Sequence, residues 1–338
     1  MRIGLIAAAL AVAGSSAALA EGKLNIYCTA NEEWCQVMAN EFAKKTGVEV
    51  SYTRKGTGET YAQIKAEASN PKGDIWWGGT GDPHLQAAEE KLTAVYESPL
   101  LKSLHPWAQD QWKRSGGRTV GIYLGMIGFV YNKEVIAKKN MPVPKCWADL
   151  LKPEYKNEIQ MSNPHSSGTA YTVLATLVQM MGEEKAFDYL RKLNENINQY
   201  TKQGPAPGMA AARGETAIAI TFMHDGSTNA KRGFPVVTVA PCEGTGFEIG
   251  SMSIIDGARN MDNAKKFYEF ALSALGQQTA ELGESFQSPS NKDAAVSPYS
   301  PRVADVKLIE YDFKKYGSSE ERKRLLQRWD AEIKAIAK

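Results

Sequence analysis

The sequence predicts an α/β chain folded as two lobes, each a mostly parallel sheet flanked by helices, with a cleft between the lobes. Three observations point there. Short apolar, strand-like runs alternate with helical periodicity along most of the chain, the pattern of parallel strands covered by helices. The 318 residues left after the leader described below exceed what one hydrophobic core usually holds. The alternation restarts beyond residue 122, and further strand and helix patterns follow residue 250, the path of a chain that leaves one lobe, builds another and returns. The expected division is a leader at 1–20, a first lobe from 21–122 with 251–300, and a second from 123–250 with 301–338.

The elements follow in order. Residues 23–28 read as a strand, and 33–45 as a helix with Trp34, Met38 and Phe42 on one face and Gly47 at its end. Strands at 48–52 and 74–77 and helices at 60–68 and 84–91 continue the pattern. In a strand Trp76 and Trp77 face opposite ways, so one belongs to the core and the other has no assigned place. A strand over 120–131 leads to helices at 169–181, 184–194 and 209–213. A strand at 251–255, a helix at 263–275 and a polar helical tail from Val303 close the chain. In such sheets the cleft lies at the carboxyl ends of the strands.

Met1 and Arg2, an apolar run to about Gly14 and the small-residue pattern Ala18, Leu19, Ala20 form a secretory signal with cleavage after Ala20. The run is shorter than the roughly 20 residues a bilayer span needs. Glu21, not Cys, follows the cleavage point, so the reading is a protein free in a periplasm, without a lipid anchor. With 40 Lys and Arg against 38 Asp and Glu, and no basic stripe, nucleic acid is not indicated as a partner. Cys28, Cys35, Cys146 and Cys242 in an oxidising compartment predict two disulfides. Three pairings are open; Cys28 and Cys35 are close enough for a local staple across a strand-to-helix turn, and Cys146 with Cys242 then follows. His84, His105, His165 and His224 are scattered, which gives no zinc spacing.

The run Gly56, Thr57, Gly58, Glu59, Thr60, the run from Asn70 through Asp74, Trp76 and Trp77 to Gly79, the stretch Cys146 to Leu151, and Ser166, Ser167, Gly168, Thr169 together resemble the bacterial ferric-iron-type periplasmic solute-binding proteins. The resemblance extends through Asn263 to Ser273. It implies a two-lobed periplasmic binding protein fold of type II, a monomer without a cofactor, a membrane permease of an ABC importer as partner, and a small anionic ligand captured by hinge closure. Ferric-binding members share adjacent tyrosines where this chain reads Phe222, Met223, His224, Asp225, and a carboxylate where it has Gly78, Gly79, Thr80. Fe(III) favours anionic oxygen donors, so their loss removes most of the affinity. His224, Asp225 and Glu248 resemble instead the sugar-contacting residues of the family's hexose-phosphate-binding branch, with Thr57 as the matching first-lobe hydroxyl.

The residues themselves fit that expectation. Ser166, Ser167, Gly168 and Thr169 open an apolar helix carrying Tyr171, Leu174, Val178 and Met181, so a hydroxyl cap, free amides and the helix dipole converge where a phosphate could sit without lysine. An ordinary N-cap serine would give the same sequence. Gly79 and Thr80 follow a buried strand and bring backbone close to the cleft. Gly204, Pro205, Ala206, Pro207, Gly208 precede a short helix, as a second amide set or a surface turn. Asp225 and Glu248 repel a phosphate but accept from sugar hydroxyls. An aminophosphonate or ferric iron with a bridging anion are the other ligands considered. A hydrolase using Ser166 or Ser167 lacks the Gly-x-Ser-x-Gly elbow and has Asp225 too close in sequence to orient His224. With the tyrosine pair missing, the protein is expected to be colourless and to develop no visible charge-transfer band with ferric citrate; a saturable band near stoichiometric iron contradicts this.

Overall fold

The computed structural model describes residues 22–336, so the leader expected at 1–20 lies outside the described residues. The strands are β1 (Lys23–Cys28), β2 (Glu49–Arg54), β3 (Ile75–Trp77), β4 (Val120–Asn132), β5 (Ile159–Ser162), β6 (Ile197–Thr201), β7 (Ile218–Phe222), β8 (Val236–Val239), β9 (Phe247–Ile254) and β10 (Ser288–Pro289). The helices are α1 (Glu32–Thr46), α2 (Thr57–Ala66), α3 (Gly81–Glu89), α4 (Pro106–Arg114), α5 (Lys133–Lys138), α6 (Gly168–Met181), α7 (Glu183–Asn194), α8 (Ala206–Ala212), α9 (Met223–Lys231), α10 (Met261–Leu272), α11 (Ala274–Leu282), α12 (Phe313–Tyr316) and α13 (Ser319–Glu332). Among the described residues no helix is long and apolar enough to cross a membrane.

Local chemistry explains many of the boundaries. α1 has Glu32 and Glu33 in its first turn and Lys44 and Lys45 in its last, matching the helix dipole. Gly47 then stops it in the left-handed region at φ 74°, its amide donating to the Ala43 carbonyl. α6 is buried on nearly every side, as its apolar sequence requires. The predicted helix at 263–275 is two helices, because Ser273 is extended and its hydroxyl accepts from the Gly276 amide, starting α11. Trp76 and Trp77 are both core residues: Trp76 stacks on His84 with centroids 3.6 Å apart, and Trp77 meets Trp34 edge-on at 4.8 Å.

The sheet runs β2-β1-β3-β9-β4-β7-β5-β6, with β8 and β10 also on β4. The predicted parallel pairing is found at its two ends, β2-β1-β3 and β7-β5-β6. The strands between them pair antiparallel, so the whole is mixed. β4 is the link: residues 120–126 pair with β9, while 127–132 pair with β7 and β8. One core, around Trp34, Phe42, Trp77 and Phe267, lies on the β1–β3 side; a second, around Trp147, Tyr171, Phe187 and Trp329, lies on the β5–β7 side. The boundaries expected at 122/123 and 250/251 fall inside β4 and β9, the strands that run between these cores. Disulfides join Cys28 to Cys35 and Cys146 to Cys242.

The C-terminal segment straps the cores together. Tyr171 of α6 donates its hydroxyl to the Tyr316 carbonyl at 2.7 Å, and Arg322 of α13 lies over the Tyr171 ring and donates to the Pro164 carbonyl. On the other side Tyr311 donates to Asp82 of α3 at 3.2 Å, and the Ser319 amide donates to Glu89. Asp82 is 3 % exposed, and burial, opposed by the Tyr311 hydrogen bond and by Arg322 and Arg114, raises its pKa from 3.8 to about 6. A pKa raised by folding means stability that is present below pH 3.8 and lost as pH rises through 6. Asp82→Asn, compared with wild type by urea unfolding, should therefore gain relative stability between pH 4 and pH 7, by up to about 3 kcal/mol at 1.36 kcal/mol per pKa unit. Parallel pH profiles would refute this assignment.

Candidate functional site

Between the two cores the structure closes a polar cavity at the carboxyl ends of β1, β2 and β3 and the amino end of α6. All nine residues singled out above line it: Thr57, Gly79, Thr80, Ser167, Gly168, Thr169, His224, Asp225 and Glu248. Gly204 and Pro205 of the loop before α8 line it too.

The first-lobe wall is backbone and hydroxyl. Gly78 and Gly79 take φ of 85° and 79°, which only glycine adopts without strain, and turn the chain back from β3. His84 pins this turn, its Nε2 bonding the Gly78 carbonyl at 3.0 Å and its Nδ1 the Ser253 hydroxyl at 2.8 Å. Burial lowers the His84 pKa to about 3, so the ring stays neutral. The Gly79 amide donates to Tyr123, so Gly79 gives the cleft close approach, since a side chain there would overlap Thr29 and Thr57.

The second-lobe wall has an anion-seeking end and an acidic end. Ser167 precedes α6 but does not cap it, as the sequence suggested it would; its hydroxyl instead accepts from Ser162 at 2.9 Å. The first amides of α6 therefore keep no intrahelical partner and no serine cap, at the positive end of the helix dipole. At the other end burial, then the negative Asp225, push the Glu248 carboxyl well above the usual carboxylate range. Asp225 accepts from the Thr221 hydroxyl at 2.7 Å. His224 Nε2 stands 3.8 Å from Asp225 Oδ1, too far for a hydrogen bond. Burial lowers the His224 pKa, leaving a neutral imidazole.

Three buried polar atoms of the lining have no hydrogen-bond partner among the described residues: Arg54 Nη1, Thr80 Oγ1 and His224 Nδ1. Buried polar groups left so are costly, so their gathering in one cavity marks a place shaped for a polar ligand. Arg54 escaped the sequence reading, although it ends β2, where the carboxyl end of a strand offers residues to a cleft. Thr29 and Asn31, just beyond β1, carried the same signal. Tyr123 and Gln287 carried none. The cavity gives on to an outer chamber lined by Asn31, Arg54, Pro205 and Asp225 together with Glu33 and Arg232.

Two α/β cores joined by continuous strands and shut on a polar cavity make a solute-capturing clamp. The chain belongs to the bacterial extracellular solute-binding protein family, whose model matches residues 72–315. It is a binding protein, not an enzyme. It is 47 % identical to the periplasmic binding protein AfuA of Actinobacillus pleuropneumoniae, solved with exogenous fructose-6-phosphate bound, over 93 % of this chain and 99 % of that one, with a TM-score of 0.91. An uncharacterised protein of Haemophilus influenzae is 45 % identical over 98 % of this chain and 95 % of its own length. Iron-bound HitA of Pseudomonas aeruginosa shares the fold at 21 % identity and a TM-score of 0.76, covering 90 % of this chain and 98 % of its own.

Gly168 meets Thr80 across the cleft, with no room for a methyl group between them. Gly168→Ala should weaken ligand binding more than tenfold while leaving the free protein folded, and Thr80→Ala in the same chain should restore part of the loss. Calorimetric titration of both variants checks this; a single variant that binds like wild type would count against closure at this contact.

Proposed function

We propose that the protein is the periplasmic substrate-binding component of an ABC importer and captures a hexose phosphate, glucose 6-phosphate or a close relative, by hinge closure between lobes divided within β4 and β9. The leader is removed after Ala20, and the closed monomer delivers its ligand to a membrane permease. The observation that carries this reading is the polarity of the cavity: an uncapped helix start at Ser167, Gly168 and Thr169 opposite a wall of His224, Asp225 and Glu248.

The anionic group sits at the α6 amides, where the dipole and unpaired N–H groups favour it, with the Thr80 hydroxyl from the facing lobe and Arg54 as the guanidinium of the lining. Asp225 and Glu248 accept from sugar hydroxyls at the other end, His224 adds a neutral donor or acceptor, and Thr57 and Gly79 close from the first lobe. Separating a phosphate from two acids in this way suits a ligand with one anionic end and one hydroxyl-rich end. AfuA, solved with fructose-6-phosphate, supports a ligand of that kind.

Because a ligand that binds only the native state raises its melting temperature, thermal shift ranks candidates directly. Glucose 6-phosphate or another hexose phosphate should stabilise the protein, and free glucose and inorganic phosphate much less. Asp225→Ala and Glu248→Ala should each weaken binding roughly tenfold to a hundredfold, from about 1–3 kcal/mol per lost acceptor. If every hexose phosphate fails while an aminophosphonate shifts the wild type, the ligand is the aminophosphonate, whose ammonium Asp225 and Glu248 would hold.

A further inference from the structure

Tyr123 belongs to the strand that joins the two cores, and three separate features set its side chain in the cleft. The pairing of β4 with β9 shifts register between Gly121 and Tyr123, an irregularity that re-aims side chains at strand junctions. On β9, Gly250 leaves a notch that the Tyr123 ring fills, and a Cβ there would overlap the ring. The phenolic oxygen accepts the Gly79 amide at 2.7 Å. The side chain is 3 % exposed and shares the cavity wall with Glu248 and His224.

That geometry fixes what the hydroxyl can do. A phenol has one proton to give, and with the Gly79 amide occupying its acceptor side the proton points elsewhere. Among the described residues the hydroxyl accepts from Gly79 and donates to none, so a buried donor is left waiting for a partner. A residue that only buttressed the Gly79 turn would not need that free donor.

We propose that Tyr123 is a ligand-reading residue whose hydroxyl donates to an acceptor oxygen at the sugar end of the bound hexose phosphate, beside Glu248. This rests on the hexose phosphate reading above. The sugar end is indicated because Glu248 lies on β9 two residues before Gly250, with Gly125 of β4 as its register partner. A Cβ on Gly125 would lie 2.8 Å from both Glu248 Oε1 and the His224 ring, so Tyr123 shares the acidic end of the cavity. Burial raises the phenol's pKa well above its usual value, so it keeps its proton throughout the working range. Two acids that accept and one phenol that donates would together require a hydroxyl-bearing partner in a set orientation.

The test is calorimetric titration of the mature protein and of Tyr123→Phe, which keeps the ring in its notch. The ligands are glucose 6-phosphate and a set of analogues each lacking one sugar oxygen: the 1-, 2-, 3- and 4-deoxy compounds and the carbocyclic one. The variant should bind glucose 6-phosphate about three- to tenfold more weakly, and for one analogue wild type and variant should bind alike, identifying the oxygen that Tyr123 reads. A loss of equal size for every analogue makes Tyr123 a support for the Gly79 turn and overturns the proposal, as does no loss at all. A wild type that binds neither these compounds nor fructose 6-phosphate or any other hexose phosphate overturns the hexose phosphate reading itself; if another hexose phosphate binds instead, the same comparison is made with it and its deoxy analogues. Melting of the ligand-free variant close to wild type separates a binding defect from a folding one.

Discussion

Backbone meets backbone across this cleft with nothing between, and the chemistry of the cavity depends on that contact. Gly56 lies against the Ser166 carbonyl and Gly58 against the His165 carbonyl, beside them Gly168 lies against the Thr80 side chain, and a methyl group at any of the three would overlap its neighbour. Such closeness excludes water from the wall between, and with water gone the dipole of α6 and the charges of Arg54 and Asp225 act at short range in a medium of low polarity. The raised pKa of Glu248 and the lowered one of His224 are signs of the same exclusion. At the rim, where water returns, Lys202 meets Glu59 at 2.8 Å and Arg232 meets Glu33 at 3.1 Å. Exposed pairs of that kind contribute at most about 1 kcal/mol, so the rim adds little to what the cavity wall holds.

The donor set distinguishes this cleft from a cation cage. A hard cation needs several anionic oxygens converging on one point. Here Asp225 already accepts from Thr221, Glu248 is disposed to hold a proton, and the remaining lining is hydroxyls, amides, a neutral imidazole and a guanidinium. The shared fold with an iron-bound relative is thus a shared scaffold.

The alternation of strands and helices was legible because each element has its own periodicity, and the start of α6 was legible because small polar residues before an apolar helix leave amides uncovered. His224, Asp225 and Glu248 came from a likeness to a family branch, since nothing in their local pattern separates a cleft residue from a buried structural one. Arg54 was readable in principle from its place at the end of β2. Tyr123 was not: its direction depends on a register shift between strands more than 100 residues apart in sequence and on a missing side chain at Gly250. The antiparallel middle of the sheet was hidden for a similar reason, because β9 pairs with partners that precede it by a large part of the chain. Ser167 misled as a cap, since its competitor for the hydroxyl, Ser162, belongs to the preceding strand.

The order in which the chain supplies its parts bears on how it is made. The core around Trp34 and Trp77 includes Met252, Ile254, Phe267 and Phe270, and β3 has no neighbour on one side until β9 exists. The core around Trp147 includes Tyr311, Leu325 and Trp329 from the strap. Neither half is complete when the ribosome has made three quarters of the protein, so the usual economy of domains maturing one after another during synthesis is closed to it. The growing chain therefore carries its first core open until α10 is made, and its second until the last long helix arrives.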